Sequence, residues 1–132
     1  MSPLRGAPYA IAVIAFAVLP LHAAPDTTKL REQLQLATKD GDTLSRIELL
    51  RRILDANPSD AKSQELLIAL WLNIEDYDMA EAALNAWPAA PPKTVVLTRA
   101  QILRNRDKDF SGAVKLLNDY LAKFPKDTAA WE

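Results

Sequence analysis

Acidic residues in three short clusters carry the most reactive side chains of this sequence. The clusters are Asp40 with Asp42, Glu75 with Asp76 and Asp78, and Asp107 with Asp109. Paired carboxyl groups act as acid and base in hydrolysis. Calcium binding at the second cluster is a weaker interpretation, because the full spaced set of oxygen ligands is missing. We favour a structural role for all three clusters, since an aspartate at a turn caps the following helix by accepting a backbone N–H.

The residues on which most catalytic and metal sites depend are scarce in this chain. It contains no cysteine, three glycines and a single histidine, His22. Cys–His catalysis and a cysteine-ligated zinc site are therefore excluded, and the chain has no glycine-rich phosphate-binding loop. We predict that the chain is not an enzyme and that it has no catalytic residues, no metal site and no cofactor.

The first residues have the composition of a secretory signal peptide. Arg5 supplies a positive charge, and the eleven residues from Tyr9 to Leu19 are uncharged and mostly apolar. This run is shorter than the roughly 20 residues of a membrane-spanning helix, and the small residues Ala23 and Ala24 offer a cleavage site. We predict a signal peptide over residues 1–23, cut after Ala23 or Ala24, and an exported product that is periplasmic or secreted and not inserted in a membrane. The alternatives are an uncleaved signal that tethers the chain to the membrane, or a buried apolar helix.

The charges of the chain are nearly balanced. It has 16 basic and 17 acidic residues, and removal of residues 1–23 takes away only one of them, the basic Arg5. Nucleic acids usually require a basic face that displaces counterions from the phosphates. A small basic group at Arg99, Arg104, Arg106 and Lys108 is interrupted by two aspartates. We therefore predict that the chain does not bind nucleic acid.

A repeat with a period of about 34 residues, a length typical of helical repeat proteins, organises the rest of the chain. Pro58, Pro92 and Pro125 recur at this period, and Asp42, Asp76 and Asp109 recur in step with them. In both series the second interval is shorter than the first by a single position. Apolar residues of the middle unit recur every three or four positions on both sides of the aspartate, as expected for two amphipathic helices. They are Leu66, Leu67, Leu70, Trp71 and Ile74, followed by Tyr77, Ala80, Ala83, Leu84 and Trp87. Each unit is therefore predicted to form two helices joined by a tight turn.

These marks resemble the tetratricopeptide repeat, a helical hairpin of about 34 residues. The match is carried by the stretches YDMAEAAL from Tyr77, FSGAVKLL from Phe110 and FPKDTAAW from Phe124. The resemblance implies an all-α solenoid of antiparallel helical hairpins over residues 28–132, preceded by a short linker at 24–27. Its units span about 27–60, 61–93 and 94–127, and a fourth begins at 128. Arg46 departs from the family pattern, in which this position holds alanine.

Trp87 and the proline-rich segment behind it are the least repeat-like part of the sequence. The tryptophan stands where the family has a small residue, and residues 88–92 read PAAPP. We expect Trp87 to pack in the core and the segment to space two hairpins. The alternative for the segment is an extended recognition element.

In tetratricopeptide proteins, the first helices of the hairpins line a concave groove that receives a peptide or a helix of a partner. The resemblance places eight residues of this chain in the groove: Arg31, Gln35, Lys39, Glu65, Asn73, Thr98, Asn105 and Arg106. It implies an interaction scaffold whose partner is another protein or peptide. The start of a fourth unit without a polar cap also predicts self-association through the C-terminal repeat.

A second function remains open at this point. The chain is alternatively the N-terminal binding region of a longer exported enzyme or receptor whose functional part lies beyond residue 132. The sequence that follows Glu132 decides between the two.

Overall fold

The apolar positions that recur every three or four residues form helices, and the predicted fold class is confirmed. A computed structural model describes residues 26–127, and in that range the chain forms six α-helices and no strand. They are α1 (Thr28–Asp40), α2 (Thr43–Ala56), α3 (Ala61–Asn73), α4 (Tyr77–Asn85), α5 (Pro92–Asn105) and α6 (Phe110–Lys123). The predicted signal peptide and the predicted fourth unit lie outside the described residues.

Consecutive helices pack against each other and build a solenoid-like row of three hairpins. The hairpins are α1–α2, α3–α4 and α5–α6, and the contacts of α2 with α3 and of α4 with α5 join them. The first helices α3 and α5 also touch. None of the described helices is both long enough and apolar enough to cross a lipid bilayer.

The aspartate of each turn caps the helix that follows it, as predicted. The carboxylate accepts a hydrogen bond from the backbone N–H three residues further on, at 3.1 Å from Ser45 to Asp42, 3.2 Å from Met79 to Asp76 and 2.9 Å from Gly112 to Asp109. Asp60 caps α3 in the same way, accepting from the N–H of Ser63 at 3.2 Å. Such a cap contributes about 1 kcal/mol, so these aspartates help to set where the helices begin.

Each turn between the helices of a hairpin contains one residue in the left-handed backbone conformation. These residues are Gly41, Glu75 and Lys108, with φ of 70°, 62° and 57°, and they recur in step with the capping aspartates. The turns lengthen along the chain, because two residues separate α1 from α2, three separate α3 from α4 and four separate α5 from α6. The repeat is therefore regular at its caps and irregular in its turns.

Substitutions at these left-handed positions are expected to change stability in opposite directions. Gly41→Ala should lower the free energy of unfolding by about 1 kcal/mol, because a side chain disfavours positive φ. A Cβ at Gly41 meets no atom within 4 Å, so a steric clash does not contribute to the loss. Lys108→Gly should raise the free energy of unfolding by up to about 1 kcal/mol for the same reason. Urea unfolding followed by circular dichroism measures both, and a change of the same sign in the two variants would contradict the assignment.

Buried apolar residues lie mainly at the junctions between helices. Ile47 and Leu50 of α2 meet Leu67 and Leu70 of α3 in a first cluster. Ile68, Leu84 and Trp87 form a second cluster, and Tyr120 and Leu121 form a third with Val96, Leu97 and Leu117 packed around them. The first cluster joins two hairpins directly, as expected for a row of repeats that stabilise one another by contact with neighbours.

Trp87 lies in the core, as expected from the sequence. Its side chain is buried against Ile68 and Leu84, and Ala90 and Val95 pack on the same cluster. Pro91 and Pro92 then begin α5, where the fixed φ of proline suits the first turn of a helix. The proline-rich segment is thus held to the core by the tryptophan before it.

Arg46 occupies the position where alanine was expected from the resemblance. Its Nε is buried and has no hydrogen-bond partner among the described residues. An unpaired buried donor costs about 1–3 kcal/mol. The first hairpin therefore contains a weak point that the other two hairpins lack, since they have Ala80 and Ala113 at the same position.

Candidate functional site

A groove runs between the first helices of the first two hairpins. It has a volume of about 340 Å³ and lies between α1 and α3. Its walls are formed by Arg31, Leu34, Gln35, Thr38, Lys62, Ser63 and Leu66. The structure thus brings together two of the predicted groove residues, Arg31 and Gln35, beside a half-buried apolar floor of Leu34 and Leu66.

Arg31 is held in place by residues of the chain itself. Its Nη2 donates to Oδ2 of Asp60 at 2.5 Å, and its Nε donates to the hydroxyl of Thr27 at 3.0 Å. The hydrogen bond from Arg31 keeps the pKa of the Asp60 carboxyl below its usual value, and the Ser63 N–H adds to this effect. Asp60 therefore caps α3 and, through its ion pair with Arg31, also links the first hairpin to the second.

The contact between Arg31 and Asp60 recurs one hairpin later with other residues. Thr94 at the start of α5 donates its hydroxyl to Oε1 of Glu65 at 3.0 Å. Glu65 follows Arg31 by one repeat period, as Thr94 follows Asp60, so equivalent positions link successive hairpins. Glu65 was predicted to face a ligand, and in the structure it makes this internal contact. The two pairs share only their positions in the repeat, since the first is an ion pair and the second joins a neutral hydroxyl to a carboxylate, so no recurring charge pattern in the sequence marks them.

Gln35 and Lys62 are the free polar side chains of the groove. Both residues are exposed, and within residues 26–127 neither takes part in a hydrogen bond or an ion pair. A bound chain would therefore meet one amide and one ammonium group without first breaking an internal contact. Lys62 gives this part of the groove an unneutralised positive charge.

The remaining predicted groove residues do not form a continuous site with Arg31 and Gln35. Lys39 and Asn73 are exposed at the last turns of α1 and α3, but neither lines the groove. Asn105 is half-buried, and its side-chain oxygen accepts a hydrogen bond from Arg104 at 3.0 Å. These three residues mark the helix ends beside the turns.

Two residues of the third hairpin are placed differently from the prediction. Thr98 is buried with 4% of its surface exposed, so it is not open to a ligand. Arg106 binds three carboxylates instead, with Asp78 at 2.8 Å, Glu81 at 2.7 Å and Asp107 at 2.8 Å. The positions were carried over at intervals of 34 and then 33 residues, whereas α3 begins 33 residues after α1 and α5 begins only 31 residues after α3. The start of α5 therefore does not keep the spacing by which its groove residues were predicted.

The acidic clusters act at the turns in the described part of the chain. The Ser45 hydroxyl and N–H hold the pKa of Asp42 below its usual value, and Arg106 does the same for the pKa of Asp107. A general acid needs the opposite direction, because its carboxyl must stay protonated near neutral pH. Among residues 26–127, no group of three or more acidic or histidine side chains is arranged to hold a metal ion.

The ion pair at Asp60 predicts a dependence of stability on pH. Because the folded pKa of Asp60 lies below its unfolded value, the pair stabilises the fold at neutral pH, and this contribution is lost as the pH falls through the folded pKa. Asp60→Asn keeps a good helix cap but removes the charge. At neutral pH the variant should be about 1 kcal/mol less stable than the wild type, and the difference should close well below about pH 4.

Denaturant unfolding at a series of pH values measures this difference. Asp55→Asn is the matched control, since Asp55 is exposed on α2 and forms no ion pair among the described residues. A gap between wild type and Asp60→Asn that stays constant on acidification would show that the Asp60 charge does not stabilise the fold.

Comparison with known proteins gives no relative for this chain. No protein-family model matches it, and neither does any curated protein or solved structure.

Proposed function

We propose that this chain is an exported scaffold of the tetratricopeptide type, and that it binds a segment of another protein in the groove between α1 and α3. The observation that carries the proposal is the groove itself, which has an apolar floor at Leu34 and Leu66 and unpaired polar groups at Gln35 and Lys62. Peptide-binding surfaces commonly combine apolar pockets with a few polar groups that fix the orientation of the bound chain.

The chemistry of the groove also defines the kind of segment that fits. An apolar side chain would cover Leu34 and Leu66, and a carboxylate would neutralise Lys62 through a charge-assisted hydrogen bond. Gln35 offers both a donor and an acceptor to the backbone of the bound segment. The preferred ligand is therefore a short peptide with an acidic residue close to an apolar one.

Selection from a phage-displayed library of random peptides tests this proposal. Peptides enriched on the immobilised wild-type chain should bind Lys62→Glu and Gln35→Glu at least about tenfold more weakly, a loss of about 1.4 kcal/mol. Arg31 and Arg106 are unsuitable for this test, because changing either one breaks internal ion pairs. Arg52→Glu is the control for the change of charge, since Arg52 is exposed on α2 and does not line the groove. If Arg52→Glu weakens binding as much as Lys62→Glu does, the groove is not the site.

Export is the second part of the proposal and has its own test. When the full chain is produced with the secretion machinery of its host, mass spectrometry of the exported fraction should find a product that begins at Ala24 or Pro25. Ile14→Arg places a charge in the apolar run from Tyr9 to Leu19 and should keep the chain inside the cell. Recovery of the wild-type chain inside the cell with residues 1–23 still attached would contradict export.

A further inference from the structure

The junction between the first two hairpins is an apolar interface whose two halves can be identified by position. Ile47 and Leu50 of α2 form one half, and Leu67 and Leu70 of α3 form the other. Ile47 is 4% exposed and Leu70 is 5% exposed. All four side chains are buried at the contact between the two hairpins.

The first hairpin carries part of the equivalent of the α3 half on the side of α1 that no described helix covers. Leu36 of α1 precedes Leu70 by one repeat period, yet 63% of its surface is exposed. Leu36 lines a cleft of about 550 Å³ with Leu44 and Leu49 of α2, and Leu44 is exposed as well. This end of the described row therefore has the equivalent of Leu70 without a covering hairpin.

The third hairpin carries part of the equivalent of the α2 half on the side of α6 that no described helix covers. Val114 of α6 follows Ile47 by two repeat periods, and 52% of its surface is exposed. Phe110, one helical turn earlier, is exposed too, and Leu117 stands at the position of Leu50. Val114 and Leu36 are thus the equivalents of Ile47 and Leu70, which pack in one cluster inside the chain.

We propose that copies of this chain stack head to tail, with α6 of one copy packed on α1 of the next in the way that α2 packs on α3. In this arrangement Val114 and Leu36 share one cluster, as Ile47 and Leu70 do inside the chain, and Phe110 and Leu44, each at the start of its helix, lie at the same end of the contact. The two surfaces differ from each other, so the contact is heterologous and leaves one face free at each end for a further copy. The row of hairpins then continues through successive molecules.

The contact between copies should be weaker than the internal junction, because the end faces are less apolar. Gln33 stands one period before Leu67, so the face of α1 is less apolar than the equivalent face of α3. The second internal junction is no template for the stack, because Glu81, the equivalent of Ile47, binds Arg106 there. Association through the end faces should therefore be reversible and dependent on concentration.

Sedimentation velocity on the chain as processed by its host tests the stacking. The average mass of the wild type should rise steadily with concentration, whereas Leu36→Glu and Val114→Glu should each remain monomeric. An equimolar mixture of the two variants should give a dimer and nothing larger, because one variant keeps an intact α6 face and the other an intact α1 face. A symmetric association through a single face would not produce this pattern.

Controls separate a lost contact from a lost fold. Both substituted positions are exposed, so the variants should melt at the temperature of the wild type when all are compared at a concentration low enough to keep the wild type monomeric. Ile74→Glu changes another exposed apolar residue, in the turn after α3, and should assemble as the wild type does. A wild type that stays monomeric at all concentrations, or a mixture of the two variants that stays monomeric, would overturn the proposal.

Discussion

Leu50→Ala is expected to lower the free energy of unfolding by about 3 kcal/mol. Leu50 is almost fully buried in α2 and touches the cluster that joins the first two hairpins. Truncation removes apolar contacts on both sides of this junction and leaves a cavity that the rigid helices can fill only in part. In a chain of this size the loss is a large fraction of the total stability, so the variant should unfold at a clearly lower urea concentration.

Leu44→Ala is the matched control for this substitution. It makes the same chemical change in the same helix, but Leu44 is exposed, so the free energy of unfolding should change by less than about 0.5 kcal/mol. Urea unfolding followed by circular dichroism measures both variants, at a protein concentration at which the wild type is monomeric. Equal losses at the two positions would mean that Leu50 does not hold the first junction together.

Trp87→Ala is expected to cost more, about 4 kcal/mol. Its indole lies against Ile68 of α3 and Leu84 of α4, with Val95 of α5 on the same cluster, so one side chain connects the second hairpin to the third. Its removal should destabilise the fold and should also uncouple the third hairpin from the second. We therefore expect the single unfolding transition to become two, with the third hairpin melting first.

Phe110→Ala provides the comparison for an aromatic side chain that is exposed, and at a protein concentration at which the wild type is monomeric it should leave the transition almost unchanged. Trp87→Phe, which keeps an apolar ring in the cluster, should lose less than half as much stability as Trp87→Ala. Calorimetry shows whether one transition or two are present. One sharp transition in Trp87→Ala, at the temperature of the wild type, would contradict the role of the tryptophan.

The fold was predictable from the sequence because its signals are local. An aspartate that caps a helix acts within three residues, and a proline that ends or begins a helix acts through its own ring. The spacing of Asp42, Asp76 and Asp109 therefore placed three helix starts correctly, and the structure confirms the all-α class. Trp87 was also predicted in the core from its apolar pattern.

The candidate site was only partly predictable, because it depends on how helices are placed relative to each other. Arg31 and Gln35 line the groove between α1 and α3, and their role in binding stays a prediction. Thr98 is buried and Arg106 binds α4, and the start of α5 does not keep the interval that separates the starts of α1 and α3. The ion pair between Arg31 and Asp60 could not be inferred from either residue alone.

One wall of the groove is formed by the helix with the fewest stabilising contacts. Helix α1 has no buried residue, and it packs on α2, which contains the unpaired Nε of Arg46. Local opening follows the density of buried contacts, so amide hydrogens of α1 should exchange with solvent sooner than those of α3. A ligand in the groove would bind only the closed population and would lose affinity in proportion to the open fraction. Slower deuterium uptake in α1 would then report that the groove is occupied, even when the ligand has not been identified.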